Sequence, residues 1–170
     1  TVYNVTNRIT ISANVTDNIA VGFVKVNISL PNSSVNIVQL KFSSLNKYNN
    51  TFTIPNMTGV YVIRFIVNDT LNNINSTVIT KFIANDGTKP IVKNTRPVNA
   101  TILNVTNRIT ISANVTDNVA VSTVFANITR PNGVTTTTTL VFSSLNKYNN
   151  SFTIPNMTGV YTVRFLVNDS

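Results

Sequence analysis

The sequence contains no cysteine, histidine, tryptophan or glutamate among its 170 residues. Without cysteine there is no disulfide bond and no thiolate nucleophile, and without cysteine and histidine the usual zinc ligands are missing. The absence of histidine also excludes a Ser-His-Asp triad. Any catalysis would have to come from aspartate alone, so the sequence predicts a protein that is not an enzyme.

Charged side chains are few and unbalanced in sign. They make up 11% of the chain, with 13 lysines and arginines against 5 aspartates and a net charge of +8. The basic residues are scattered singly and form no cluster, so no nucleic-acid binding is expected. No apolar run approaches the roughly 18 residues of a membrane span, so no membrane insertion of this segment is expected either.

One long segment of the sequence occurs twice. The stretch VTNRITISANVTDN begins at Val5 and again at Val105. The match continues without a gap from 4–70 to 104–170, and 47 of these 67 positions are identical. A period of this length is a whole domain rather than a solenoid unit, so the chain is predicted to hold two tandem copies of one domain.

Both copies are predicted to consist of β-strands. β-Branched and polar residues alternate in the segments 8–15, 24–30, 60–69 and 76–84. A period of two in such residues indicates strands with one buried face. No segment shows a helical period, and the turn sequences LPNSS and RPNGV separate strands. The predicted fold class is all-β, with two tandem β-sandwiches.

Three segments carry a resemblance to a known family: TGVYVIRFIVNDTLNNINSTVITKFIANDGTKPIV, DNIAVGFVKVNISLPN and DNVAVSTVFANITRPN. They resemble the tandem immunoglobulin-like repeats of prokaryotic cell-surface proteins, especially archaeal surface-layer and adhesin-like proteins. The shared features are a Gly-x-Tyr that opens the penultimate strand, an Asn-Asp at its end and a Thr-Lys-Pro before the next repeat. The resemblance implies antiparallel immunoglobulin-like sandwiches and an extracellular location at the cell surface. It does not fix one function, because this fold serves many.

A tyrosine in each copy resembles the tyrosine corner of the same fold. It follows a glycine in Gly59-Val60-Tyr61 and again in the segment 159–161. The family's second strand cysteine is missing, because Ile63 and Val163 stand at its position. The resemblance therefore implies a core that aliphatic packing alone must hold.

The repeat also predicts two incomplete domains, 1–87 and 88–170. Thr1 aligns with Thr101, so the segment 71–100 occurs only once and holds the last strand of the first domain and the first strand of the second. Domain 1 is therefore expected without its first strand, and domain 2 without its last. Two interpretations stay open: the chain is a window from a longer array, or a neighbouring subunit supplies the strand, as in donor-strand filaments. In the second case copies of the chain would be its partners in a head-to-tail homopolymer.

The sequence is rich in acceptor sites for N-linked glycans. The N-x-S/T pattern occurs at fifteen positions: Asn4, Asn14, Asn27, Asn32, Asn49, Asn56, Asn68, Asn75, Asn99, Asn104, Asn114, Asn127, Asn149, Asn156 and Asn168. Part of this number follows from strands in which asparagine and threonine alternate. Because several of these asparagines fall on predicted outward faces, several glycans are expected on the exported protein.

Three of the five aspartates are predicted to converge. The loops after the second and the penultimate strand lie at the same end of such a sandwich, which brings Asp117 to Asp169, and the linker brings Asp86. Carboxylates gathered in this way repel one another unless a cation neutralises them, and oxygen ligands suit Ca²⁺. The alternative is that each aspartate caps a turn through its own backbone or pairs with Lys89 or Arg108.

These features predict a structural protein rather than an enzyme. The first hypothesis is a building block of an extracellular assembly, either a filament or a surface layer, made of glycosylated domains joined head to tail. The second is a spacer in the stalk of a cell-surface adhesin whose binding tip lies elsewhere. Self-association separates the two, because a building block polymerises and a stalk does not.

Overall fold

The computed structural model describes residues 1–169, which fold as two compact units, Thr1–Gly87 (unit 1) and Thr88–Ser170 (unit 2). All regular structure in the described residues is β-strand, which confirms the predicted fold class. Within them, no helix is long and apolar enough to cross a membrane.

Unit 1 contains eight strands. They are β1 Val2–Asn4, β2 Arg8–Asn14, β3 Val21–Ser29, β4 Val35–Ser44, β5 Lys47–Thr53, β6 Gly59–Asp69, β7 Ile74–Asn75 and β8 Ile79–Asn85. The inward positions of β3 alternate with outward ones, and Val24, Val26 and Ile28 are buried. This alternation is what an apolar/polar period of two produces in a sheet with one covered face.

The strands of unit 1 form a single hydrogen-bonded path, β1-β8-β6-β3-β4-β5-β2, with β7 beside β6. The path becomes a sandwich at β4, whose first part pairs with β3 and whose last residues pair with β5. The two layers meet in the core, where the rings of Phe52 on β5 and Tyr61 on β6 lie 6.4 Å apart.

One strand pair of unit 1 differs from the antiparallel prediction. β1 runs parallel to β8, with Val2 opposite Ile83 and Asn4 opposite Asn85. β8 is also antiparallel to β6 on its other edge. The last strand of unit 1 therefore lies between two neighbours rather than at the edge of the sandwich.

Unit 2 contains the remaining strands in two sheets. They are β9 Ile91–Arg96, β10 Arg108–Thr116, β11 Val121–Thr129, β12 Thr135–Thr139, β13 Val141–Ser144, β14 Lys147–Thr153 and β15 Thr162–Asp169. The sheet orders are β13-β14-β10-β9 and β12-β11-β15. The buried cluster between them includes Ile111, Val115, Val124 and Ile128.

The expectation of a purely aliphatic core is wrong for unit 1. Tyr61 is fully buried and stacks on Phe82 of β8, with ring centres 4.8 Å apart and planes within 9° of each other. Tyr3 of β1 meets the same ring edge-on at 5.5 Å. Stacked and edge-on aromatic rings therefore contribute to the core of unit 1 beside its aliphatic side chains.

The tyrosine corner is confirmed in both units. The Tyr61 hydroxyl donates a hydrogen bond of 2.9 Å to the carbonyl oxygen of Met57, and Tyr161 does the same to Met157 at 2.9 Å. Burial of the ring raises the pKa of Tyr61 above its usual value, because the interior disfavours the phenolate.

Substitution of Gly59 is expected to lower the stability of unit 1. Its φ is +127°, and a Cβ atom would lie 3.0 Å from two side-chain carbons of Pro31. Gly59→Ala should therefore destabilise unit 1 by about 1–3 kcal/mol, the cost of a strained backbone conformation. Urea unfolding of the variant protein measures the loss.

Gly133→Ala is the matched control for this prediction. Gly133 also has a positive φ, +83°, but no atom lies within 4 Å of its Cβ position. The control change should cost less, because it adds strain without a collision. Equal losses in both variants would show that the contact with Pro31 contributes nothing.

Candidate functional site

Unit 2 contains an open apolar groove of about 1000 Å³. One wall is the segment 101–105. The other wall is the segment 159–165, whose last four residues belong to β15. The floor consists of the core side chains Ile111, Ile128, Phe152 and Ile154. We call this feature the strand groove.

β8 fills the equivalent space in unit 1. There, Phe82 and Ala84 of β8 are buried, and β8 lies between β1 and β6. In unit 2, β15 is the last strand of its sheet, and no strand of residues 1–169 lies on its free edge. The strand groove is therefore a strand position that the described part of unit 2 leaves open.

Core burial shows the effect of this open position. In unit 1, Tyr61 and Phe65 are buried, whereas the equivalent Tyr161 and Phe165 of unit 2 are only partly buried. By contrast, Val24 in unit 1 and Val124 in unit 2, which does not line the groove, are equally buried, at 0% and 1% exposure. The reduced burial of Tyr161 and Phe165 thus accompanies the open strand position beside them.

The wall at 101–105 was not predicted from the sequence. Ile102 is 94% exposed, and Leu103 also faces solvent in part. They align with Val2 and Tyr3, which form β1 against β8 in unit 1. The sequence does contain a short apolar pair at this position in both copies. Whether the pair forms a strand depends on a distant pairing partner, which local alternation does not reveal.

Unit 1 has an open edge of its own at β2. In unit 2 the equivalent strand β10 is covered by β9, which buries Ser112 and Ala113. In unit 1, β2 ends the strand path, and Ser12 is exposed. The segment 79–96 thus supplies β8 to one unit and β9 to the other, and each unit leaves open the edge that is covered in its sister.

Three aspartates cap turns, as the alternative interpretation predicted. Asp17 Oδ1 accepts hydrogen bonds from the backbone N–H groups of Ile19 and Ala20, and Asp117 Oδ1 makes the equivalent pair. Asp69 accepts from the backbone of Leu71 and of Asn73 at 2.8 Å each. Turn capping thus accounts for Oδ1 of each of these three carboxylates.

Asp117 and Asp169 also lie close together in unit 2. Their carboxylate oxygens approach within 4.8 Å, and Oδ2 of Asp117 is buried without a hydrogen-bond partner. Asp86 stands immediately before Gly87, with which unit 1 ends. The calcium site of Asp86, Asp117 and Asp169 stays a prediction.

Asp69 is expected to make unit 1 sensitive to acid. The side chain and backbone of Asn73 donate hydrogen bonds to its carboxylate and hold its pKa below the ordinary 3.8. Because the folded pKa is depressed, this stabilisation is full above pH 3.8 and is lost as the pH falls through the folded pKa. Thermal unfolding of the protein and of Asp69→Asn between pH 2 and pH 6 (about two units either side of the ordinary carboxyl value) tests this.

The control for this titration is the variant itself, since the other carboxyl groups titrate in both proteins. The stability difference between the protein and Asp69→Asn should shrink toward low pH. A difference that stays constant across the range would contradict the assignment.

The fifteen sequon asparagines differ in accessibility. Nine are exposed, five are half-buried, and Asn68 is buried. Asn68 donates from Nδ2 to Oδ1 of Asn72, beneath the turn that leads into β7. The side chain of Asn68 is thus buried and its amide nitrogen is hydrogen-bonded, whereas Asn168, its equivalent in unit 2, is exposed.

Comparison with solved structures gives distant likenesses. No family model and no curated protein matches the sequence. The chain is similar to the fibronectin(III)-like modules of Clostridium thermocellum CbhA, with 15% identity over 98% of this chain and 79% of that chain and a TM-score of 0.38. It is also similar to a tetra-tandem repeat in the extending region of a large adhesion protein, with 15% identity over 99% of this chain and 47% of that one and a TM-score of 0.48. Neither likeness assigns a function to this chain.

Proposed function

We propose that the chain is a structural building block of an extracellular assembly, in which immunoglobulin-like sandwiches follow one another head to tail. The observation that carries the proposal is the pair of open edges, β2 in unit 1 and β15 in unit 2. Each is covered in the sister unit by a strand from the segment 79–96. Repeats with these reciprocal edges complete one another when they are joined in series.

The surface chemistry supports a location at the cell surface. Solubility comes from asparagine, serine and threonine rather than from charge, which is only 11% of the chain. We propose that several of the nine exposed sequon asparagines carry N-linked glycans, and that Asn68 does not. Glycopeptide mass spectrometry of the native protein tests this, and a glycan on Asn68 with unmodified exposed sites would contradict it.

Calcium binding belongs to the proposal as an accessory property. Asp117 and Asp169 are neighbouring carboxylates, and Asp86 is the third predicted ligand. Hard oxygen ligands of this kind suit Ca²⁺. An unchanged melting temperature after chelation would remove calcium from the proposal.

Electron microscopy of the native protein, purified from its source without denaturant, is the decisive experiment. Fibres or lattices with a repeat of one or two domains are the expected result. The alternative function is the stalk of a cell-surface adhesin, which would give isolated two-lobed particles or flexible strings of beads on a larger body. Either of those images would overturn self-assembly while keeping the structural role.

A further inference from the structure

The two units present almost the same acceptor strand to their neighbours. The segments GVYVIRFIVND at 59–69 and GVYTVRFLVND at 159–169 agree at eight of eleven positions. The change at an inward position, Ile63 to Val163, keeps a β-branched side chain. A strand that pairs with β6 therefore has the sequence and shape to pair with β15.

We propose that the strand groove of unit 2 binds an added β-strand with the sequence pattern of β8, donated by a further repeat of this kind. Unit 1 shows the bound arrangement on its own acceptor. Ala84 lies opposite Gly59, Phe82 opposite Tyr61 and Thr80 opposite Ile63, in antiparallel register. In unit 2 the same register places the donated phenylalanine opposite Tyr161 and the donated alanine opposite Gly159.

The other wall of the groove fits the same strand. In unit 1, β8 is held in parallel by backbone bonds from Ile83 N–H to Thr1 O, at 3.0 Å, and from Val5 N–H to Asn85 O, at 2.9 Å. Thr101 and Val105 hold the equivalent positions in the wall of the groove. Each wall of the groove thus carries backbone groups equivalent to those that pair with one edge of β8 in unit 1, and pairing through backbone groups is the recognition mode of strand addition.

The side-chain pattern defines what the groove selects. Along β8, Phe82 and Ala84 are buried, whereas Lys81 and Ile83 point outward and are exposed. The partly buried rings of Tyr161 and Phe165 line the part of the groove where the donated aromatic ring would stack. A strand with a large ring, and a small residue two positions later, meets both requirements.

The β8 strand of a second identical molecule is not the favoured donor. The 170 residues contain one copy of this strand, and it is already bound between β1 and β6. Its transfer to another molecule would open an equivalent groove in unit 1 of the donor. Such an exchange gains no strand pairing, so a strand from an additional repeat is the favoured donor.

A synthetic peptide tests the site directly. The peptide TVITKFIANDG, which copies 77–87, is titrated into the 170-residue protein by calorimetry, and hydrogen exchange is followed by mass spectrometry. We expect one peptide per molecule and at least about tenfold slower exchange in the segments 101–105 and 159–169, because paired amides are protected. Exchange in unit 1 should not change.

Two variant peptides are the matched controls. The Phe82→Asp peptide should bind at least about 100-fold more weakly, because it would place a charge in the core. The Lys81→Ala peptide should bind as the original does, since Lys81 faces solvent. Equal affinity for all three peptides would mean that no register is selected, and it would overturn the proposal.

The remaining outcomes are also decisive. Absence of binding overturns the site, and protection of β6 instead of β15 means that the peptide replaces β8 in unit 1. Oligomers that form without peptide and expose β6 would make a second copy the donor and would overturn the proposed source. The identity of the donor as a further repeat rests on the proposed function. The ability of the groove to bind a strand does not. Peptide binding and fibre formation are separate readouts, so either can fail alone.

Discussion

Tyr61→Ala is expected to lower the stability of unit 1 by about 3–5 kcal/mol, the usual cost of truncating a buried aromatic side chain. Tyr61 is fully buried, stacks on Phe82 at 4.8 Å and meets Phe52 at 6.4 Å. Its hydroxyl also donates to the Met57 carbonyl. The substitution removes all of these contacts and leaves a cavity beside β8.

Tyr161→Ala is the matched substitution in unit 2. Tyr161 makes the same hydrogen bond, to Met157, but its ring faces the strand groove and is only partly buried. We expect a smaller loss, of about 1–3 kcal/mol, as for ordinary substitutions outside a closed core. Hydrogen exchange by mass spectrometry resolves the two units in one molecule, through peptides from β3 and β11.

Tyr→Phe at each position separates the ring from the hydroxyl. Both changes remove one hydrogen bond of the same length and should cost about 1 kcal/mol each. Equal losses for the two alanine variants would show that the contact with β8 adds little to the core of unit 1. A strand added to the groove would then be expected to stabilise unit 2 only slightly.

Local sequence patterns were sufficient for the strands and for their buried faces. The segment 8–15 alternates with a period of two, and in the structure Ile11 and Val15 of that segment are buried. The glycine before each corner tyrosine gave the position of the corner. These features depend on neighbouring residues, so a short window of sequence contains the information.

Pairing between distant segments could not be predicted in the same way. The parallel contact of β1 with β8 joins residues about eighty positions apart, and three residues of β1 carry too little alternation to indicate a partner. Likewise, β4 is one strand across both layers of unit 1, whereas its counterpart in unit 2 is divided into β12 and β13. Both features are settled by tertiary packing rather than by local preference.

The candidate site shows the same division. The duplicated sequence predicted that domain 2 lacks its last strand, and the groove lies along the segment 159–165 of unit 2. It did not reveal that Ile102 and Leu103 form the opposite wall. The sequon pattern also included Asn68, whose burial follows from the pairing of β7 with β6. The alternation of polar and apolar residues does not predict that β7 folds back on β6.

Phe82→Ala is expected to have an effect as large as that of Tyr61→Ala, because it removes the other half of the aromatic stack. Phe82 is 4% exposed and contacts both Tyr61 and Tyr3. Loss of the ring should lower the stability of unit 1 by about 3–5 kcal/mol. It should also weaken the hold on β8, so that β1 and the edge of β6 exchange faster than the rest of unit 1.

Lys81→Ala on the same strand is the control, because Lys81 is exposed and should contribute less than about 0.5 kcal/mol. Hydrogen exchange in the Phe82→Ala variant then compares unit 1, with β8 loosened, with the unchanged unit 2 of the same molecule. If β8 is what closes the sandwich, unit 1 of Phe82→Ala should approach the exchange pattern of unit 2, with fast amides at 1–5 and 59–64. A uniform loss of protection throughout unit 1 would instead show that Phe82 supports the whole core, and that strand β8 has no separate closing role.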